Sequence, residues 1–330
     1  MEYVRLGGSG LQVSRVCLGT MTFGLQVDEE RSRAILDYSA DKGVTFLDAA
    51  DVYPLGGDLT TVGGTEEILG RWLAGCRDDY IVATKCYGPM GSRPWQAGNS
   101  RRHIMDAIDE SLRRLQTDYV DLYQLHFDDR SVPLDETLSA LDDLVRVGKV
   151  RYIGCSNFLA FRLARAIGRS EALGRVKFVS VQPRYNLIFR EFERELFPLC
   201  LDEGIGVIPY NPIAGGLLSG KHDRSRPPEE GTRFTLGNAG RMYQDRYWHD
   251  HVFDTIDALA KLAEAAGLSL TTMAVAWVLR NPAITSPIVG ASRPEQLDDT
   301  VAATDVNLDE DLAQRLDELT AEYRRGDAPR

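Results

Sequence analysis

Three short apolar segments that each end in an ionisable residue constrain the fold of this chain more than any other feature. The segments span residues 45–48, 81–85 and 120–126, and a tyrosine follows the first of them by five residues. Short apolar runs of this kind are typical of buried parallel strands. In a (β/α)8 barrel the C-terminal ends of successive strands meet on one face. The pattern therefore predicts that four side chains converge there: Asp48, Tyr53, Lys85 and His126.

The chemistry of these four side chains suits the protonation of an oxygen that is gaining negative charge. A tyrosine hydroxyl has a pKa of about 10, which is high for proton donation at neutral pH. A nearby ammonium group such as that of Lys85 lowers this pKa, and a carboxylate paired with the ammonium holds it in place. A histidine beside them can hydrogen-bond a carbonyl oxygen and share the proton relay. Such a site could protonate a carbonyl oxygen while the carbonyl carbon accepts hydride.

Each of the four residues also has a structural interpretation when it is taken alone. Lys85 and Asp48 could form a structural ion pair, Tyr53 could anchor a loop, and His126 could be a hydrogen-bonded core histidine. Four such residues at matched strand ends favour the catalytic hypothesis.

Strand-like and helix-like segments alternate from Val16 onward, which predicts an α/β fold. Strands are predicted at about 16–19, 45–48, 81–84, 120–125, 150–154, 178–182, 206–209 and 285–289. Helices of the expected length lie between them, for example Ser100–Leu115 with apolar residues at 3–4 spacing. Eight βα units, spanning about 16–303, are the number that closes a (β/α)8 TIM barrel.

The remaining segments are predicted to surround a single barrel domain over residues 1–330. Residues 3–14 read as an N-terminal β-hairpin and residues about 307–323 as a C-terminal helix. Three βα connections, 51–64, 87–98 and 211–250, are long, which is typical of functional or mobile loops. The length of 330 residues and the hydrophobic content of 43% suit one large barrel.

Composition argues against several classes of partner. The formal net charge of −11 argues against nucleic acid or an anionic membrane. No apolar run is long enough to cross a membrane and the N-terminus lacks a signal core, which predicts a cytoplasmic protein. The 5 cysteines are odd in number and form no C-x-x-C pair, so we expect reduced thiols and no metal site.

Two glycine-rich segments resemble nucleotide-binding loops but do not meet the requirements of those motifs. Gly215–Lys221 matches the first part of a phosphate loop, but His222 replaces the Ser or Thr that binds Mg²⁺. No G-x-G-x-x-G motif follows an early strand, so a nicotinamide cofactor would not be held in the Rossmann manner.

The order of short motifs along the chain resembles the aldo-keto reductase family. The resemblance runs from Leu6 to about Tyr323 and rests on Leu18–Gly24, Asp48 with Tyr53, Glu66–Gly70, Thr84–Lys85, Leu122–His126, Gly154–Asn157, Val181–Asn186 and Gly216–Lys221. Each motif is weak by itself, but the whole set in this order is specific. The resemblance implies NADPH-dependent reduction of an aldehyde or ketone to the alcohol. Tyr53 would be the proton donor, Lys85 would lower its pKa, Asp48 would orient Lys85, and His126 would polarise the carbonyl.

The resemblance also implies NADPH or NADP⁺ as cofactor. Ser156, Asn157 and Gln182 would bind the nicotinamide carboxamide, and the ring would stack on Tyr210. Ser292 and Arg293, at the approach to a late helix, would bind the 2′-phosphate. The full predicted cofactor set is Gly19, Thr20, Met21, Asp48, Ser156, Asn157, Gln182, Tyr210, Asn211, Pro212, Gly216, Leu217, Ser219, Lys221, Arg233, Gly290, Ser292, Arg293, Gln296 and Asp299. Asn211, Gln296 and Thr300 differ from the residues usual in the family, which leaves the preference for NADP over NAD open.

The sequence does not identify the physiological substrate, the reaction direction or the oligomeric state. A weak whole-chain similarity favours the branch acting on keto sugars, including sugar nucleotides whose diphosphate could meet Arg93 or Arg101. Small aldehydes and ketones are the alternative. The predicted substrate contacts are Phe23, Tyr53, Tyr87, Trp95, His126 and Phe127, with Trp248 as a further candidate.

A second class of function is an NADPH-binding interaction module like the potassium-channel β subunits. Residues 98–104 and 119–122 resemble those subunits. His126 stands where the subunits typically carry asparagine, and this difference favours an enzyme.

Overall fold

Eight parallel strands form the sheet that the sequence predicts, preceded by a two-stranded hairpin. The structure is a computed structural model and describes residues 1–325. The hairpin strands are β1 (Tyr3–Arg5) and β2 (Gln12–Ser14). The parallel strands are β3 (Cys17–Gly19), β4 (Phe46–Asp48), β5 (Ile81–Cys86), β6 (Val120–Leu125), β7 (Val150–Ser156), β8 (Ser180–Gln182), β9 (Gly206–Val207) and β10 (Ile288–Val289). This arrangement confirms the predicted α/β barrel.

Helices follow the strands and cover the outside of the sheet. They are α1 (Glu29–Asp41), α2 (Gly64–Leu73), α3 (Arg101–Leu115), α4 (Leu134–Arg146), α5 (Ala160–Ala172), α6 (Leu196–Glu203), α7 (Gly237–Tyr247), α8 (Asp250–Ala265), α9 (Leu270–Arg280), α10 (Gln296–Ala302) and α11 (Glu310–Leu319). Helix α3 agrees with its prediction, because Ser100 accepts a hydrogen bond from the backbone N–H of His103 and so caps the N-terminus. Its predicted apolar positions, from Ile104 to Leu115, are buried against the barrel.

The sheet closes on itself through backbone bonds between its first and last strands. The strand order is β10-β3-β4-β5-β6-β7-β8-β9. The N–H of Thr285 donates to the carbonyl oxygen of Val207 at 2.8 Å, and that of Ile288 donates to Pro209 at 2.8 Å. All eight strands therefore end on the same face, where the predicted functional residues lie.

Two strands are shorter than predicted because a proline lies within the predicted segment: Pro209 lies just beyond β9, and Pro287 precedes β10. Strand β8 begins two residues later than predicted, at Ser180. Each proline carbonyl accepts a bond from a neighbouring strand, but proline has no N–H with which to continue the ladder. The sequence pattern alone marked these positions as strand because their neighbours are apolar.

The long connection 211–250 contains regular secondary structure that the sequence analysis did not predict. It contains the 3₁₀ turns Ala214–Ser219 and Arg233–Thr235, and then helix α7. Phe234 is completely buried and contacts the rings of Tyr243 and Trp248. The predicted C-terminal helix is also shorter, because Asp309 caps α11 and a 3₁₀ turn, Ala321–Arg324, follows it.

The hairpin closes the bottom of the barrel, as the family resemblance implies. Leu6 and Val13 pack against inward-facing residues of five strands and against one residue just beyond β9: Cys17, Phe46, Ala83, Leu122, Ile288 and Ile208. The backbone N–H of Gly8 donates to the carbonyl oxygen of Gly204 at 2.6 Å. The opposite face of the barrel is the one left open to ligands.

Within residues 1–325 no single helix is long and apolar enough to cross a bilayer. Helices α8 and α9 meet that criterion only as a pair, and the chain bends by 92° between them.

The contact between the hairpin and β9 predicts that alanine substitutions at two neighbouring glycines differ in their effect on stability. Gly7 has φ +57°, and a Cβ there would lie 2.4 Å from both Gly204 O and Gly206 N. We expect Gly7→Ala to lower the free energy of unfolding by about 1–3 kcal/mol, because it overpacks backbone and adds a strained φ. Gly8→Ala is the matched control, since its Cβ would approach no closer than 3.4 Å. Urea denaturation followed by circular dichroism measures both; equal losses would contradict this account of the hairpin contact.

Candidate active site

A buried ion pair lies at the C-terminal ends of two neighbouring strands. Asp48 is the last residue of β4, and Lys85 is the penultimate residue of β5. The ammonium Nζ of Lys85 lies 2.6 Å from Oδ2 of Asp48, and the two side chains are 0% and 4% exposed. The same ammonium donates to the carbonyl oxygen of Ala49 at 2.8 Å. The lysine charge is therefore desolvated but hydrogen-bonded to two acceptors.

The second oxygen of the Asp48 carboxylate is held by two glutamines. Oδ1 accepts from Nε2 of Gln124 at 3.1 Å and from Nε2 of Gln182 at 2.9 Å. Sequence analysis missed Gln124, although a signal was present. Gln124 occupies the same face of β6 as Leu122 and His126, since side chains alternate along a strand. Three side chains from three different strands therefore fix the carboxylate.

Tyr53 and His126 lie beside the ion pair, so the structure brings the four predicted residues together. The Lys85 ammonium is 5.0 Å from the centroid of the Tyr53 ring. The rings of Tyr53 and His126 meet edge to face with centroids 5.7 Å apart. The tyrosine is positioned by its backbone, since Tyr53 N–H donates to Ala50 and its carbonyl accepts from Gly63.

The protonation states in this cluster are set by burial and by the lysine charge. Burial raises the pKa of Tyr53, and Lys85 lowers it as the sequence analysis expects, but the effect of burial is the larger of the two. Burial and the nearby Lys85 charge hold the pKa of His126 well below its usual range. Burial alone would lower the pKa of Lys85, but Asp48 and Tyr53 together raise it. At neutral pH the cluster contains a protonated tyrosine, a neutral histidine and a charged lysine.

A cavity of about 600 Å³ opens over this cluster. This volume is within the range of small-molecule and cofactor sites. Most of the predicted site residues line it: Asp48, Tyr53, Tyr87, His126, Phe127, Gly19, Met21, Ser156, Asn157, Gln182, Tyr210, Asn211, Pro212, Gly216, Ser219, Lys221, Arg233, Gly290, Ser292, Arg293, Gln296 and Asp299.

Four of the predicted ligand contacts do not lie on the cavity wall. Phe23 and Leu217 are buried in the hydrophobic core. Thr20 is buried, with its hydroxyl donating to the backbone carbonyl of Asp48 at 2.9 Å. Trp95 is 41% exposed at the protein surface. The family resemblance suggested Thr20 and Leu217, and Phe23 and Trp95 were aromatic candidates for the substrate pocket, but side-chain direction decides whether a residue faces the cavity.

The arginines and the second tryptophan considered for substrate binding also lie elsewhere. Arg93 packs over the exposed Trp95 ring at 5.7 Å, and Arg101 pairs with Asp143 at 2.6 Å. Trp248 packs between Phe234 and Phe253. None of them lines the cavity, so a diphosphate at Arg93 or Arg101 would be remote from Tyr53.

Helix α7 supplies cavity residues that sequence analysis did not predict. Met242, Tyr243 and Arg246 line the wall, and the Tyr243 hydroxyl donates to Oδ1 of Asn211 at 3.2 Å. Their spacing is helical, so a search for a short helix inside the 211–250 connection could have identified this face. Gln26 lines the cavity as well, and its amide donates to the carbonyl oxygen of Gly231. That hydrogen bond joins two loops at the cavity wall.

One part of the cavity presents an ordered polar group around Asn157. Its amide nitrogen donates to His126 O and to Ser156 Oγ, each at 3.0 Å. Its Oδ1 accepts from the Tyr210 hydroxyl at 2.9 Å. Gln182 gives its amide nitrogen to Asp48, and the amide oxygen remains to accept from a ligand.

Another part of the cavity concentrates positive charge. Lys221, Arg233 and Arg293 line it, and a Cβ at Gly290 would come within 3.3 Å of the Arg233 guanidinium. Partial burial and the nearby Arg293 lower the pKa of Lys221. Within the described chain, Nη1 of Arg233 is buried without a hydrogen-bond partner. These donors fit a phosphate group, because an oxoanion would satisfy the free guanidinium nitrogen.

The predicted helix N-terminus does not contribute to this charge cluster. Helix α10 begins only at Gln296 and has 7 residues, so Ser292 and Arg293 precede it. The backbone N–H of Ser292 donates to Oε1 of Gln296 at 2.8 Å, and its hydroxyl donates to the same oxygen at 3.2 Å. The positive charge of this part of the cavity therefore comes from cationic side chains and not from a helix dipole.

No group of three or more metal-ligating side chains is found in residues 1–325. All five cysteines, which lie within that range, are free thiols.

Comparison with known proteins identifies the same family along nearly the whole chain. The family model described as "Aldo/keto reductase family" matches residues 15–321. An uncharacterized oxidoreductase, YrpG, of Bacillus subtilis is 38% identical over 327 residues, which cover 97% of this chain and 96% of YrpG. Versiconal hemiacetal acetate reductase of Aspergillus parasiticus is 35% identical, covering 96% of each chain. A probable voltage-gated potassium channel subunit beta of Arabidopsis thaliana is 36% identical, covering 93% and 92%. These findings confirm the resemblance that the motifs indicate.

The electrostatics of the cluster predict that the pKa of His126 is unusually low. We expect its imidazole to stay neutral on titration well below the ordinary histidine pKa, since burial and Lys85 both disfavour the charged ring. The measurement is ¹³C NMR of labelled histidine, with the resonance assigned through His126→Asn. Lys85→Met should raise the His126 pKa by removing one of the two causes. A His126 midpoint near its ordinary value of about 6.5 in the unmodified protein would contradict the prediction.

Proposed function

Since this chain belongs to the aldo/keto reductase family, we propose that it reduces an aldehyde or ketone to the alcohol with NADPH as cofactor. It is an oxidoreductase of the aldo-keto reductase type. The observation that carries the proposal is the buried Asp48–Lys85 pair beside Tyr53 and His126 at the wall of a cavity of about 600 Å³.

The proposed reaction needs a proton donor and a group that polarises the carbonyl. A bound reduced nicotinamide supplies the hydride. Tyr53 donates the proton to the carbonyl oxygen, because its hydroxyl is protonated at neutral pH and its ring faces the cavity. Lys85 stabilises the phenolate that this transfer leaves, and Asp48 holds Lys85 in place. His126, being neutral, can donate a hydrogen bond to the same oxygen without adding a charge.

The nicotinamide would lie against Tyr210, with its carboxamide near Ser156, Asn157 and Gln182. The free amide oxygen of Gln182 supports this assignment, because it can accept from a carboxamide N–H. Asn157 already uses both amide hydrogens within the protein. We therefore assign it mainly to positioning Tyr210 and the His126 strand end.

The phosphates of the cofactor would lie among Lys221, Arg233 and Arg293. Three cations at one end of the cavity favour NADPH, whose 2′-phosphate adds a dianion that NADH lacks. Asn211 adds support, because its Nδ2 is buried without a partner in the described chain and can donate to a pyrophosphate oxygen.

A channel-subunit-like role remains the alternative function, since one relative is named as such a subunit at 36% identity. The neutral His126 next to Tyr53 favours the enzyme, because an interaction module needs no acid-base cluster. Turnover of a panel of aldehydes separates the two. A keto-sugar substrate and a cytoplasmic location stay predictions of the sequence.

Replacing the proposed proton donor tests the mechanism. Tyr53→Phe should retain NADPH binding but lose carbonyl reduction by about 10²–10⁴-fold, the usual contribution of general acid catalysis. Tyr80→Phe is the control, because Tyr80 packs against Trp72 away from the cavity. The measurements are kcat for a generic aldehyde and fluorescence titration with NADPH. Turnover of Tyr53→Phe near that of the unmodified protein would remove Tyr53 as the donor.

Replacing Arg293 tests the cofactor preference. Arg293→Gln should weaken NADPH binding by about 1.5–3 kcal/mol, or about 10- to 100-fold in Kd, since charge-assisted bonds are lost. NADH binding should change little, because it has no 2′-phosphate. Arg241→Gln removes an exposed charge from α7 and serves as the control. An equal loss for both cofactors would rule out the 2′-phosphate assignment.

A further inference from the structure

A cavity-lining arginine is left without a role by the proposed reaction and its cofactor. Arg246 is in the last turn of α7 and is half-buried on the cavity wall. Within residues 1–325 its guanidinium group forms no ion pair and no hydrogen bond. In contrast, the surface residue Arg224 pairs with both Asp254 and Asp257. A partly desolvated guanidinium on a cavity wall has hydrogen-bond donors that an acceptor on a ligand can satisfy.

Arg246 lies on the same side of the cavity as the catalytic cluster. Tyr243 is one helical turn earlier on α7 and also lines the cavity, where its hydroxyl donates to Oδ1 of Asn211 at 3.2 Å. Asn211 follows Tyr210 in the chain, and Arg246 opposes the rise that burial causes in the pKa of the Tyr210 hydroxyl, to about 12. The Tyr210 hydroxyl bonds to Asn157, which in turn bonds to the backbone of His126. The Arg246 side chain therefore shares the wall of one cavity with Tyr210, Tyr53 and His126.

A second arginine adds to the positive potential around Tyr210. Arg184 packs its guanidinium 3.5 Å from the centroid of the Phe189 ring and 5.7 Å from that of Tyr247. It also opposes the raised pKa of Tyr210. It too has no carboxylate partner within the described chain. Two unpaired arginines from different elements thus flank one tyrosine.

No carboxylate compensates this charge on the nearby wall. The acidic residues lining the cavity in residues 1–325 are Asp48 and Asp299. Asp48 is already paired with Lys85, and Asp299 lies beside Thr272 of α9. The cations proposed for the cofactor phosphates lie on other segments of the chain: Lys221 and Arg293 influence each other, and Arg233 lies beside Gly290. Arg246 is the cavity-lining cation of helix α7.

We propose that Arg246 is a substrate-binding residue and that the preferred substrates are carbonyl compounds carrying an anionic group, a carboxylate or a phosphate. The inference rests on the proposed reductase function and names its substrate class. A guanidinium binds either oxoanion through two parallel hydrogen bonds. The chain as a whole has a net charge of −11, so a local positive potential inside the cavity is needed to attract an anion at all.

Matched pairs of substrates test the inference. The carboxylate pair is 4-carboxybenzaldehyde and methyl 4-formylbenzoate, which share the reacting aldehyde but differ in charge. The phosphate pair is glyceraldehyde 3-phosphate and glyceraldehyde. We expect kcat/KM of the unmodified enzyme to favour at least one anionic member. In Arg246→Gln that preference should fall by about 10- to 100-fold, through KM more than kcat, because the lost contact binds substrate and transition state alike.

Three controls define the result. Arg246→Lys should keep part of the preference, since it keeps the charge but not the bidentate geometry. Arg241→Gln should keep all of it, because Arg241 is exposed on α7 and does not line the cavity. The Kd for NADPH should be unchanged in Arg246→Gln, and calorimetric binding of 4-carboxybenzyl alcohol in the presence of NADP⁺ should weaken.

The outcomes separate this inference from the proposed function. A preference for one anionic pair would support it and identify the group, and a preference for both would support it for oxoanions in general. Reduction of neutral and anionic members with equal kcat/KM would overturn it while leaving the reductase function intact. A weakened NADPH Kd in Arg246→Gln would overturn it by assigning Arg246 to the cofactor. Absence of turnover with every aldehyde would overturn the reductase function, and this inference with it.

Discussion

The site depends on one buried ion pair, that of Asp48 and Lys85. An unpaired ammonium in the barrel interior would be strongly disfavoured, and removing one partner of such a pair typically costs about 3–5 kcal/mol. Here the cost of desolvation is offset by dense hydrogen bonding. Lys85 donates to the carboxylate and to a backbone carbonyl, while Gln124 and Gln182 satisfy the other carboxylate oxygen. The barrel supplies this geometry, because the ends of four strands, β4, β5, β6 and β8, each contribute one side chain.

The lysine charge also determines the properties of its neighbours. It counters the effect of burial on Tyr53 and reinforces the effect of burial on His126. The result is a protonated tyrosine beside a neutral histidine, both at the wall of one cavity. A carbonyl oxygen between them would meet two hydrogen-bond donors at neutral pH without a change in net charge. This arrangement suits proton donation better than either ring would alone.

Cationic side chains elsewhere on the cavity wall define two regions that suit different anionic groups. Lys221, Arg233 and Arg293 make one region suited to phosphate groups. Arg246 and Arg184 make the region near Tyr210 positive as well. The exterior of the molecule is strongly acidic, so these interior charges oppose the overall potential. These interior cations point to an anionic ligand, because a partly buried cation without a counterion costs desolvation free energy unless an anion binds to it.

The sequence by itself determined the barrel and the four residues at its strand ends, because apolar runs between helices have only one common closed arrangement and the strand ends must then converge. It also indicated most of the cavity wall, through motifs whose order is specific to a family. It could not determine which side chains face the cavity from long connections: Phe23 and Leu217 turn into the core, while Tyr243 and Arg246 turn toward the ligand space. It also could not determine the pKa of Tyr53, which depends on how burial and the Lys85 charge balance. Those properties arise from side-chain direction and desolvation, which exist only once the chain has folded.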